Sequence, residues 1–168
     1  MKEMIFLLVI SLVINLNYIY SKEIHKSDTT SARIKFDPTR EPEKDLRNSV
    51  TEAKKFNKRI ILDIGGEWCI WCHRLDEFLE RNDDLKNFLH ENYIVMKVNF
   101  SPENKNEKFL SKYPKINGYP HIFILEKDGR LLYSKDTGEL EKGKGYDHDK
   151  MFAFLKEWAP KNGDDLTK

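Results

Sequence analysis

Arg59-Ile60-Ile61-Leu62-Asp63-Ile64-Gly65-Gly66-Glu67-Trp68-Cys69-Ile70-Trp71-Cys72-His73 is the stretch on which the reading of this chain turns. From Ile60 to Ile64 it is apolar except for Asp63 and does not alternate, which predicts a buried strand in the middle of a parallel sheet. Gly65-Gly66 ends the strand, and Cys69 then opens a helix whose core face carries Leu75, Phe78 and Leu79. At a helix start the unpaired N–H groups and the dipole favour an anion, so a cysteine there is biased toward the thiolate, the attacking species. Cys72 follows one turn later and can close a disulfide with Cys69 without moving backbone. Asp63, embedded in the apolar run, is read as a buried carboxylate; the alternative is a strand-end residue facing water.

Cys69 and Cys72 are the only cysteines among 168 residues, so no multi-disulfide framework staples the fold. A bridge closing so short a loop removes little unfolded-state entropy, which makes chemistry a better reason for it than stability. The N-terminus points to a compartment where such a bridge persists. Lys2 precedes an apolar run from Met4 to Leu16, and Ser21 is the nearest small residue after it. That pattern predicts a signal peptide over residues 1–21, with a retained membrane anchor as the alternative. The expected location is outside the cytoplasm: the periplasm for a Gram-negative source, otherwise secreted or membrane-anchored. Lys and Arg number 29 against 28 Asp and Glu, a net charge of +1, so no basic excess points to nucleic acid.

Working outward, residues 22–43 read as a polar tail or linker, and a domain is expected over residues 44–160 with a polar tail at 161–168. Leu46, Val50, Ala53 and Phe56 recur at helical spacing before the first strand. Beyond the cysteine helix, a short helix is expected at 84–90, a strand at 93–100, and a helix after Ser101-Pro102 holding Phe109 and Leu110. Asn117-Gly118-Tyr119-Pro120 leads into a strand at 121–125, and Lys127-Asp128-Gly129-Arg130 turns the chain into a returning strand at Leu131-Leu132-Tyr133. Residues 137–145 read as a loop, and Met151, Phe154, Leu155 and Trp158 mark a last amphipathic helix. The order predicts an α/β fold, a central mixed β-sheet with helices on both faces.

The chain resembles the thioredoxin superfamily from about residue 44 to residue 158. The likeness rests on Asp63 in the strand, Glu67-Trp68 before the cysteine pair, Val95-Met96-Lys97-Val98-Asn99, Ile116-Asn117-Gly118-Tyr119-Pro120 and the turn Asp128-Gly129. It implies a thioredoxin-like thiol–disulfide oxidoreductase whose only redox group is the Cys69–Cys72 disulfide, with neither cofactor nor metal. Cys69 would be the nucleophile and Cys72 the resolving thiol. Asp63 would accept the proton of Cys72, and Lys97 would modulate Asp63. Trp68 would shelter the pair, and Trp71 would be exposed to partners. Pro120, if cis, would set the backbone of Tyr119 beside the disulfide, where it can pair with a substrate strand. The implied partners are protein thiols or disulfides and a redox protein that recycles the pair, and the chain is expected to be a monomer.

Two departures from the family pattern affect redox direction. Ile70-Trp71 replaces the usual Gly-Pro, and His73 replaces the usual Lys. A charged His73 would favour the thiolate; the Asp63/Lys97 pair gives a slight lean toward a reductant. His121, after Pro120, either tunes the thiolate or fills space. Lys97 has a bland alternative as a solvated edge charge. Cys69-Ile70-Trp71-Cys72-His73 also fits the c-type haem string C-x-x-C-H, which predicts His73 as iron ligand in a mainly helical fold. Zinc would need two further ligands, and His25, His90, His121 and His148 lack the spacing. A redox-inert adaptor that binds extended segments beside Pro120 is the remaining alternative.

Overall fold

The computed structural model describes residues 33–161. The signal-peptide or anchor segment, His25 and residues 162–168 lie outside the described residues. Helix α1 (Pro42–Phe56) begins with proline where the missing N–H interrupts no helical bond. It stops at Asn57, whose left-handed φ of 50° lets Lys58 N–H donate to the Ala53 carbonyl. Strand β1 (Arg59–Gly65) follows at once and is buried from Ile60 onward. It runs parallel to β2 (Tyr93–Asn99) on one side and antiparallel to β3 (His121–Leu125) on the other. β4 (Leu131–Asp136) pairs antiparallel with β3, giving the order β2-β1-β3-β4. The non-alternating run is therefore central because both of its faces are covered.

Alternation along the strands sorts the core into two layers. Ile60, Leu62, Ile64, Phe123 and Leu125 face Ala53 of α1 and Phe109 of the one-turn helix α4 (Glu107–Leu110). Ile61, Ile122 and Ile124 face Leu75 of α2 (Ile70–Arg81) and Leu85 and Leu89 of α3 (Asp83–Asn92). Met151, Phe154 and Leu155 of α5 (His148–Glu157) complete that layer. Asp63 falls on the α2 side of β1, which puts it under the cysteine helix.

Several local readings change. Phe56 is 52% exposed with Lys55 and Lys58 over its ring. Ten residues beyond Leu46, at 100° per residue, it is turned roughly 80° away from the buried stripe. The helix after Ser101-Pro102 shrinks to α4. Asn99, Asn104 and Asn106 bond to one another's backbone and hold the preceding segment as a polar loop. Residues 137–145 are ordered by two buried side chains. A 3-10 turn (Thr137–Leu140) buries Leu140, and a two-strand hairpin, β5 (Glu141–Lys142) and β6 (Gly145–Tyr146), buries Tyr146. Gly143, at φ 62°, makes its turn. The compact unit begins at Ile34, and Phe36 and Pro42 are buried in what the sequence reads as linker.

Candidate active site

Cys69 is the N-cap of α2, in extended backbone at φ −90°, and is disulfide-bonded to Cys72. Its Sγ accepts the Cys72 N–H at 3.1 Å. No acidic side chain occupies the first turn of α2 to oppose a thiolate there. Both sulfurs are covered, Cys69 at 4% and Cys72 at 1% exposure. The cover comes from Phe36, Trp71 and Tyr119.

On the α2 side of the sheet lies a cluster of buried charge. In the parallel register Asp63 of β1 sits opposite Lys97 of β2. Lys97 Nζ donates to Asp63 Oδ2 at 2.9 Å and to Asp76 Oδ1 at 2.6 Å. Asp63 is buried, and the Lys97 side chain is 9% exposed, so it is not a solvated edge charge. Burial pulls the Lys97 pKa down, but the charges of Asp63 and Asp76 more than offset this and leave it raised. Asp76 was missed by the sequence reasoning. The available signal was its place four residues after Cys72, on the same face of α2.

The remaining candidates form a rim. Trp68 is 55% exposed and donates its Nε1–H to the Phe100 carbonyl at 2.7 Å. That bond needs Gly66: a Cβ there would lie 2.4 Å from Trp68 Nε1 and 2.7 Å from the Phe100 oxygen. Tyr119 meets the Trp68 ring edge-on at 5.7 Å and stacks on Phe100 at 4.8 Å. The Tyr119–Pro120 peptide bond is cis, and the Pro120 carbonyl accepts the Thr137 hydroxyl at 2.6 Å. Trp71 is not the exposed ring that the sequence suggests. It is half-buried, edge-on to Tyr146 at 5.9 Å with the Arg74 guanidinium 4.5 Å above it. Ile70, at 59% exposure, is the outward residue between the cysteines.

The two histidines separate. His73 Nε2 lies 2.8 Å from the Glu67 carbonyl, an acceptor only, so that nitrogen carries the proton. This ties His73 to the turn before Cys69. His121 is buried on the other face of the sheet from Asp63, against Phe123, with Nε2 on the Ser134 hydroxyl at 2.9 Å. Burial lowers its pKa, with Asp136 acting in the opposite sense. The haem reading fits poorly. Both sulfurs are bonded to each other, His73 is engaged by a carbonyl, and the expected mainly helical fold is replaced by a sheet. Among the described residues no group of three or more His, Cys, Asp or Glu is placed to hold a metal ion.

The family model described as a thioredoxin-like domain matches residues 46–144. The chain belongs to the thioredoxin-like family. Disulfide bond reductase DsbH of Chlamydia pneumoniae is 24% identical over 93 residues, 50% of this chain and 55% of that protein. Spermatogenesis-associated protein 20 of Mus musculus is 40% identical over 47 residues, 28% of this chain and 6% of that protein. The chain thus spans about half the length of the first relative and a small part of the second. A disulphide isomerase structure from Xylella fastidiosa Temecula1 superposes with TM-score 0.63 at 22% identity, covering 73% of this chain and 94% of that one. The oxidised C-terminal domain of Neisseria meningitidis DsbD gives TM-score 0.52 at 17% identity, covering 74% and 99%. This chain shares their thioredoxin-like fold, here a mixed four-strand sheet between helices with a cysteine pair opening α2.

Proposed function

We propose that the protein is an exported thiol–disulfide oxidoreductase that exchanges disulfides with protein substrates through Cys69 and Cys72. The observation that carries the reading is the disulfide at the N-terminus of α2, the helix whose next turn supplies Asp76 to the buried Asp63–Lys97–Asp76 cluster. In the reducing direction the Cys69 thiolate attacks a substrate disulfide. Asp63 takes the proton of Cys72, and the Cys72 thiolate attacks Cys69 to release the substrate as a dithiol. Lys97 holds Asp63 in place and modulates its charge. Trp68 and Tyr119 form the apolar rim against which a substrate segment packs, and the backbone before Pro120 receives it as an added strand. Trp71 acts from beneath as a packed support. Export rests on the apolar run of residues 4–16, and a separate redox protein recycles the pair.

The reading leans to a reductant, because two carboxylates sharing one ammonium beneath the pair oppose a further negative charge on sulfur. An insulin-reduction assay with and without Cys69→Ser tests the activity; no Cys69-dependent turnover in either direction would sink it. Equilibration of the pair against glutathione tests the direction, with a potential near that of thioredoxin expected. A strongly oxidising value would reverse the lean.

A further inference from the structure

Phe36 precedes the family-matched segment, yet it is 2% exposed and packs with Cys69 and Cys72. It is the one buried residue between Ile34 and Glu41. Its backbone N–H donates to Glu67 Oε1 at 2.8 Å, which hooks the segment to the turn before the cysteines. A Cβ on Gly65 would lie 2.5 Å from Cys72 Sγ and 3.0 Å from Phe36 Cζ, so sulfur and ring tip crowd the same point. The face of the ring receives the Lys97 ammonium, 4.1 Å from its centroid, and that ammonium holds Asp63 and Asp76. A phenyl ring offers water no hydrogen-bonding partner, so it closes this flank of the charge cluster while favouring the cation.

We propose that Phe36 is a positioning residue for the resolving half of the exchange, keeping the cluster dry and Lys97 in place so that Asp63 takes the Cys72 proton. The inference rests on the oxidoreductase reading above. In the first half-reaction the Cys69 thiolate attacks a disulfide R–S–S–R, forming Cys69–S–S–R and releasing RS⁻. In the second, the Cys72 S–H bond breaks and its proton goes to Asp63. The Cys72 thiolate attacks Cys69 Sγ, the Cys69–Cys72 bond forms, and the second RS⁻ leaves with the electron pair. The dithiol loses two electrons and R–S–S–R gains them. A carboxylate in water is a weak base toward a thiol, whereas one stripped of water is stronger, so the second half-reaction depends on the plug. The titratable and charged groups facing this space are Asp63 on β1, Lys97 on β2, Asp76 on α2 and Tyr146 on β6. Arg74 stands over the outer face of Trp71.

The test uses the reduced full chain with 5,5′-dithiobis(2-nitrobenzoate) as R–S–S–R, in stopped flow. The thiolate absorbance resolves attack and resolution as two release phases. For Phe36→Ala the first phase does not slow, because loss of a covering ring leaves Cys69 at least as accessible, while the second slows at least about tenfold at mildly acidic pH. The gap closes in alkali, where the thiol ionises without a base. Phe36→Leu, which keeps an apolar plug, retains most of the second-phase rate. If Phe36→Ala does not fold, Glu67→Ala unhooks the segment and gives the same pH-dependent loss. An unchanged second phase, or one slowed by the same factor at every pH, overturns the proposal. Two phases in the unaltered protein with no Cys69-dependent turnover of a protein substrate in either direction would overturn the oxidoreductase reading and leave the role of Phe36 to the phase comparison.

Discussion

Replacing Lys97 by Met removes the ammonium from between two carboxylates while keeping a side chain of similar length. The Lys97, Asp63 and Asp76 side chains are 9%, 8% and 12% exposed, so water cannot take over the lost role. Removing one partner from a buried ion pair costs about 3–5 kcal/mol, and that range is expected for Lys97→Met at neutral pH. The pH dependence follows from signs. The Lys97 pKa is raised above 10.5 in the fold, so its stabilisation is complete at neutral pH and is lost only in strong alkali, as pH passes the folded value. In the variant two carboxylates are left buried without their cation, which favours their neutral forms. The destabilisation is then present at neutral pH and fades as pH falls toward the ordinary carboxylate range, about 4. Urea unfolding of the oxidised protein, followed by tryptophan fluorescence, measures both quantities. The gap between variant and unaltered protein should narrow from pH 7 to pH 5 at constant m-value. A loss below about 1 kcal/mol, or a gap independent of pH, would refute the account of the cluster.

Three further substitutions test other parts of the site. Gly65→Ala drives a methyl group to 2.5 Å from Cys72 Sγ and 3.0 Å from Phe36 Cζ. Overpacking of this kind costs about 1–3 kcal/mol, read from the urea midpoint, and a neutral result would mean the disulfide region yields easily. Thr137→Val leaves the Pro120 carbonyl without the hydroxyl that reaches it at 2.6 Å, and a loss of about 1–3 kcal/mol is expected; Thr137→Ser should recover most of it. His121 has a folded pKa below 6.5, so its stabilising effect is present above that pH and is lost as pH falls through the folded value. His121→Gln should therefore flatten the acid-side fall in stability, and an unaltered slope between pH 7 and pH 5 would show that His121 does not cause it.

How much of this was legible in the sequence depended on the range of the interaction. Strand β1, the cysteine helix and the turn at Gly129 follow from neighbouring residues, and so did the mixed sheet that their order implies. Asp63 was readable as buried because four apolar neighbours, Ile60, Ile61, Leu62 and Ile64, advertise a buried strand. Asp76 and Phe36 were not readable as partners of the pair. Asp76 looks like one more acidic residue on a charged helix, and Phe36 like a stray aromatic in a polar tail, until α2 and the segment before α1 are brought against Lys97. Trp71 misled for the same reason: between two cysteines it looks available, yet Tyr146, 75 residues away, covers its ring.

The sequence by itself determined the cysteine pair, the helix start that favours a thiolate there and the family likeness, because each is a matter of spacing within a short stretch of chain. Only the tertiary structure decided what surrounds that pair. Parallel pairing of β1 with β2 puts Lys97 opposite Asp63, one turn of α2 supplies Asp76, and the segment before α1 lays Phe36 against the Lys97 ammonium. Such contacts form only when distant segments share a core, and a buried charge takes its strength from that shared exclusion of water.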